Sequence, residues 1–230
     1  GNEKVKPTQF SYGSVLNAWA KSSEKDASVK ALALFRRMED IYQKEESDVR
    51  PNAHCYNAVI NAIAKSNESD KAKTSYQILS EMVGSYEKGN FNAKPNVLTY
   101  STVLNACAYT RGTADDRDVA FQIARSCFRD IISSKFEMKP NNVTFSMFIL
   151  ACSRLVPKEK REDNYVLIES VFKECCKLGL VDVKVILNLR RAVSPELLKQ
   201  LLKGTSLVEN RRNIELRDLP TEWRCNIISR

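Results

Sequence analysis

A ten-residue string returns four times along this chain of 230 residues, and no other feature limits its fold as tightly. Tyr12 to Lys21 (YGSVLNAWAK), Tyr56 to Lys65 (YNAVINAIAK), Tyr100 to Tyr109 (YSTVLNACAY) and Phe145 to Arg154 (FSMFILACSR) align without gaps, their first residues 44, 44 and 45 apart. A second shared string precedes each: Val5-Lys6-Pro7-Thr8, Val49-Arg50-Pro51-Asn52, Ala93-Lys94-Pro95-Asn96 and Met138-Lys139-Pro140-Asn141. A fixed period of this length marks a structure built from repeated supersecondary units, each too small to bury its apolar face alone.

Inside each unit the apolar residues recur at helical spacing, as at Tyr12, Val15, Leu16 and Trp19, and after a polar break at Leu32, Leu34, Phe35 and Met38. The breaks run from Ser22 to Ser28, Ser66 to Lys71, Thr110 to Asp118 and Val156 to Asp163. The prolines close each second helix, because they cannot continue its hydrogen bonding. Four helix-turn-helix units follow, over residues 5–52, 53–96, 97–141 and 142–182. No segment alternates like a strand for long. The expected fold is all-α, a right-handed α-solenoid of stacked helix-turn-helix repeats whose first helices line a concave face. Beyond the fourth unit, Asp182 to Arg191 reads as one more first helix. Ser194, Pro195 and Glu196 then supply a cap, a first-turn proline and a first-turn acid for a short helix through Leu202. Residues 183–204 are thus expected to cap the array. Residues 205–230 read as an irregular C-terminal segment, with Trp223 against the end or flank.

Composition narrows the chemistry. Lys and Arg number 36 against 28 Asp and Glu, and a net charge of +8 with a pI near 9.1 points to a polyanionic partner such as nucleic acid. The seven glycines form neither a G-x-G nor a P-loop pattern, which argues against Rossmann and P-loop nucleotide enzymes. His54 is the one histidine, so two-histidine metal sites are excluded and any Ser-His-Asp or Cys-His arrangement hangs on a single residue. Seven cysteines without a C-x-x-C pair suggest neither a disulfide framework nor a zinc ribbon, and fit a reducing compartment. The longest apolar runs, such as Phe145 to Cys152, fall short of the ~18 residues that a membrane span needs. The chain starts at Gly1 with no signal or transit pattern and reads as a piece of a longer protein. The expectation is a binding protein rather than an enzyme, with no cofactor, no metal and no membrane.

The junction Lys94-Pro95-Asn96-Val97-Leu98-Thr99-Tyr100, the helix that follows it through Val103-Leu104-Asn105-Ala106, and second helices ending near Met38 or Met82 resemble the pentatricopeptide repeat family. The resemblance covers residues 5–182. The units here run 41 to 45 residues where that family has about 35, the excess lying in the inter-helix loop and after the second helix. The W-x2-L-G-x2-Y pattern of tetratricopeptide repeats is absent.

Positions three, four and four apart on the first helices form stripes: Phe10, Gly13, Asn17, Lys21; His54, Asn57, Asn61, Lys65; Leu98, Ser101, Asn105, Tyr109; and Val143, Ser146, Leu150, Arg154. Each opens on a flat or branched apolar side chain, and three of the four end in a cation. That order suits a stacked base, a read base edge and a phosphate. The family resemblance implies the same roles. It gives the reading pairs Gly13 with Asn52, Asn57 with Asn96, Ser101 with Asn141 and Ser146 with Asp182, although Gly13 has no side chain to read with. It gives Phe10, His54, Leu98 and Val143 as base-sandwiching residues, while the stripes themselves give Lys21, Lys65 and Arg154 as phosphate contacts. Simpler roles stand next to these. Thr8, Asn52, Asn96, Asn141 and Asp182 are good helix caps, and a cation at a helix C-terminus is favoured by the dipole alone. His54 shares a column with Phe10 and Leu98, which makes it a flat side chain and not a base. Cys107, Cys152 and Cys175 fall in core columns. The acidic pairs Glu45-Glu46, Asp115-Asp116 and Glu162-Asp163 fall in loops or at helix ends, where solvation explains them.

These readings converge on sequence-selective binding of single-stranded RNA, one base per repeat. The resemblance implies organellar RNA processing, stabilisation or translation in a mitochondrion or chloroplast, with other proteins as possible partners of the missing flanking regions. The alternative is a protein-interaction solenoid that holds an extended peptide in the same groove.

Overall fold

The structure is a computed structural model and describes residues 7–45, 49–205, 207 and 214–227. Val5 and Lys6 of the first junction, Glu46 with the side chain of Glu45, and parts of the C-terminal segment lie outside the described residues. Four helix pairs come first: α1 (Gln9–Lys21) with α2 (Ala27–Glu45), α3 (Ala53–Lys65) with α4 (Lys71–Glu87), α5 (Val97–Ala108) with α6 (Ala114–Ile132), and α7 (Asn142–Leu155) with α8 (Tyr165–Lys177). Then come α9 (Val183–Ala192), α10 (Pro195–Leu201) and the four-residue α11 (Thr221–Arg224). Among the described residues the fold is all-α, with no strand.

The first helix of each pair starts in the same register because the same device starts it. The side-chain oxygens of Thr8, Asn52, Asn96 and Asn141 accept from the backbone N–H three residues on, and Asp182 does the same for α9. Each cap satisfies one of the N–H groups that a helix start leaves without a partner. The break expected from Thr110 to Asp118 is shorter than its polarity suggests, for α6 already begins at Ala114. Thr113 caps it, accepting from Asp116 N at 3.2 Å while the Asp116 carboxylate accepts from Thr113 N at 3.0 Å. Asp115 and Asp116 therefore sit in a first turn, where the helix dipole favours acids.

Packing runs from pair to pair. Helix α1 lies on α3, α3 on α5, α5 on α7 and α7 on α9, while α2, α4, α6 and α8 each touch the first helix of the next pair. One continuous core results, from Leu16, Phe35 and Met38 through Tyr56, Ile60, Met82, Tyr100 and Leu104 to Phe145, Phe148, Phe172, Ile186 and Leu189. Each such side chain, removed from water, contributes about 1.5–3 kcal/mol. Cys107, Cys152 and Cys175 are buried in it. Val15 is 47% exposed, whereas Val59, Val103 and Phe148 in the same column are buried, because each of those three helices has a first helix before it and α1 has none among the described residues.

Among the described residues after 204, the chain holds regular turns that its irregular text does not suggest. A 3-10 turn spans Leu216–Asp218, Leu219 is buried, and α11 packs on α8 with the Trp223 ring edge-on to Phe172 at 5.5 Å. Val181 N donates to Trp223 O at 2.7 Å, and Asn226 N donates to Gly179 O at 3.0 Å. Val181 stands where the other four junctions have Pro7, Pro51, Pro95 and Pro140, residues with no N–H to give. Gly179, at φ +65, turns the chain out of α8, and a Cβ there would lie 2.3 Å from Cys225 Sγ.

Candidate nucleic-acid interface

The caps and the period bring equivalent residues of successive first helices onto common faces. Phe10 is 82% exposed, and His54, Leu98 and Val143, in the same column, are exposed as well. Lys184 of α9 continues that column, again exposed. Four solvated apolar or flat side chains at matched positions are hard to explain by packing, since burial is what such groups gain from folding. Gly13 is explained by its neighbour. A Cβ at that position would meet His54 Cδ2 at 3.2 Å, so the missing side chain leaves room for the imidazole.

The reading pairs divide by depth. Asn96 is exposed, while Asn52, Asn57, Asn141 and Asp182 are half-buried. Ser101 and Ser146 are deeper, at 5% and 1% exposure. The Ser146 hydroxyl accepts from Asn188 Nδ2 at 3.0 Å, and Arg191 donates to Asn188 Oδ1 at 3.2 Å. The Ser101 hydroxyl lies 3.3 Å from that of Thr144. The Asn57 carboxamide oxygen is buried without a hydrogen-bond partner. Every cap is in use: Asn52, Asn96 and Asn141 accept through Oδ1 at 3.0–3.1 Å, and the two carboxylate oxygens of Asp182 accept from Val185 N at 2.8 Å and Asn142 Nδ2 at 2.7 Å.

The three cations differ in their ties. Lys21 is exposed at the end of α1. Lys65 reaches across to α1 and donates to Ala20 O at 2.6 Å, neutralising the negative end of the neighbouring helix. The Arg154 guanidinium lies 4.6 Å from the centre of the Tyr109 ring, so the residue that breaks the cation column pairs with the cation of the next unit.

Sequence reasoning missed Lys71. It is 6% exposed and donates to Ser66 O at 2.9 Å and Ala64 O at 3.3 Å, closing the end of α3. Burial pulls its pKa down, and the nearby charges of Arg111 and Arg154 add to the effect. The signal was the period itself, since Lys71 lies 44 residues after the buried Ala27. Also missed were Thr99, Thr144 and Asn188, polar residues that are each wholly or almost wholly buried.

Among the described residues, no group of three His, Cys, Asp or Glu is placed to hold a metal ion, and no helix is long and apolar enough to cross a membrane. Set against models of protein families, curated proteins and solved structures, the chain finds no match.

Proposed function

We propose that the chain is a right-handed α-solenoid of the pentatricopeptide kind that binds single-stranded RNA, one base per helix pair, in organellar RNA metabolism. The observation that carries this reading is the exposed column Phe10, His54, Leu98 and Val143, flanked by polar caps on one side and by Lys21, Lys65 and Arg154 on the other. Flat and branched side chains sandwich bases whatever their identity, the cap column discriminates among them, and cations at the far ends of the first helices meet phosphates.

Units two to four then read a pyrimidine, adenine and guanine in turn. Asn57 is longer than Ser101 or Ser146 and leaves room for the smaller ring alone. Asn141 suits adenine, and the acceptor-only Asp182 suits the N–H donors of guanine. With Ser101 and Ser146 so deep, their part in reading is indirect, through the side chains they hold. The test is titration of the protein with a randomised single-stranded RNA pool, with single-stranded DNA and peptide libraries alongside. Enrichment of a pyrimidine-A-G core in RNA is the expected result. Preference for an extended peptide would replace this reading with the protein-interaction one.

A further inference from the structure

We infer that Thr99 and Thr144 determine specificity without touching RNA, by locking the carboxamides of Asn96 and Asn141 so that each presents hydrogen-bond donors only. The inference rests on the RNA reading above. The backbone N–H groups of Thr99 and Thr144 donate to the caps at 3.1 and 3.0 Å, and an N–H can be met only by the carboxamide oxygen. The threonine hydroxyls donate to the same oxygens, at 3.2 and 3.1 Å, and accept in turn from the backbone N–H of Asn96 and Asn141 at 3.3 Å each. Both threonines are wholly buried, so no water replaces these bonds. A flipped carboxamide would set its NH2 group against the backbone N–H, which can only donate. Oδ1 therefore stays inward and Nδ2 faces out.

Asn141 has one more link. Thr144 has a single hydroxyl proton, already committed to Asn141, so in the 3.3 Å contact with Ser101 the donor is Ser101. Three groups point one way, from Ser101 to Thr144 to Asn141, and a chain of this kind strengthens each bond in it. The buried Ser101 thereby acts on the base through two intermediates. Elsewhere in the column the polarity differs. At Asn52 the third residue is Cys55, and one bond at 3.1 Å holds the carboxamide. At Asp182 both oxygens are acceptors already in use. What Asn141 reads on adenine is thus the acceptor N1 and not the 6-amino group.

The measurement is fluorescence anisotropy with an RNA oligonucleotide carrying U-A-G, in which the adenine is replaced by purine riboside, which keeps N1 and lacks the amine, or by 1-deazaadenosine, which keeps the amine and lacks the N1 acceptor. Purine riboside should bind within about threefold of the parent and 1-deazaadenosine about tenfold more weakly, the loss of one hydrogen bond. Thr144→Val, which keeps the backbone N–H and loses the hydroxyl, should narrow that gap, and Thr144→Ser, which keeps the hydroxyl, should preserve it. The reverse order of the two analogues, equal losses, or indifference to both overturns the inference, and so does an undiminished gap in Thr144→Val. A parent oligonucleotide that does not bind overturns the RNA reading itself, and this inference with it.

Discussion

Single residues in this chain owe their identity to a neighbour in the next unit. Gly13 is the plainest case, because a Cβ there would press on the His54 ring at 3.2 Å, with Cys55 Sγ next at 3.7 Å. That ring is exposed and free to swing aside, so Gly13→Ala should stabilise the protein by about 0.5 kcal/mol through helix propensity, read as a small rise in Tm. The cysteines give a second expectation. Burial pushes the Cys107 and Cys152 thiols up to about 12, and Cys176, though less covered, is also pushed to about 12. A raised pKa leaves little thiolate below it, so at pH 8 these thiols should resist alkylation, their rates rising about tenfold per pH unit. Cys225 is exposed, and mass spectrometry of the native protein should find one adduct per chain, against seven after unfolding. Asp182→Asn keeps the cap on α9 and exchanges an acceptor for a donor. The last base preference should move from guanine towards adenine with little change in Tm, as competition binding would show.

Helix starts were legible in the sequence, and helix surroundings were not. The recurring Pro-Asn strings mark where α3, α5 and α7 begin to the residue, because a proline and a capping side chain act locally. The burial of Thr99, Thr144 and Asn188 was invisible, since it depends on which side chain lies opposite in another unit. The start of α6 was placed too late because Thr110 to Asp118 reads as one polar break, although Asp116 within it completes a capping box with Thr113. Caps differ in how much they hold. Asn141→Ala loses bonds to both the N–H and the hydroxyl of Thr144, and Asn52→Ala loses only the one to Cys55 N. Thermal unfolding should rank the first as the costlier, about 2 kcal/mol against about 1.

Across the whole molecule, charge and ending are set by contacts between units. If Lys21, Lys65 and Arg154 each meet a phosphate, three contacts give a log-log salt slope of about −2, or roughly a twentyfold loss of RNA affinity between 50 and 200 mM salt. Lys21→Ala should flatten that slope and leave Tm alone, whereas Lys65→Ala should lower both, because Lys65 also holds the end of α1. At the other end, Val181→Pro would restore the residue of the other junctions and remove the donor to Trp223 O. A loss of about 1 kcal/mol and a red shift of Trp223 emission should accompany release of α11. The same amide bears on how such a gene could change length. Duplicating the stretch that encodes residues 97–141 would insert a unit bearing its own proline and leave the Val181 to Trp223 bond where it stands. Copies can therefore accumulate upstream while the join of α11 to α8 stays as it is, one of its ties being a hydrogen that every proline lacks.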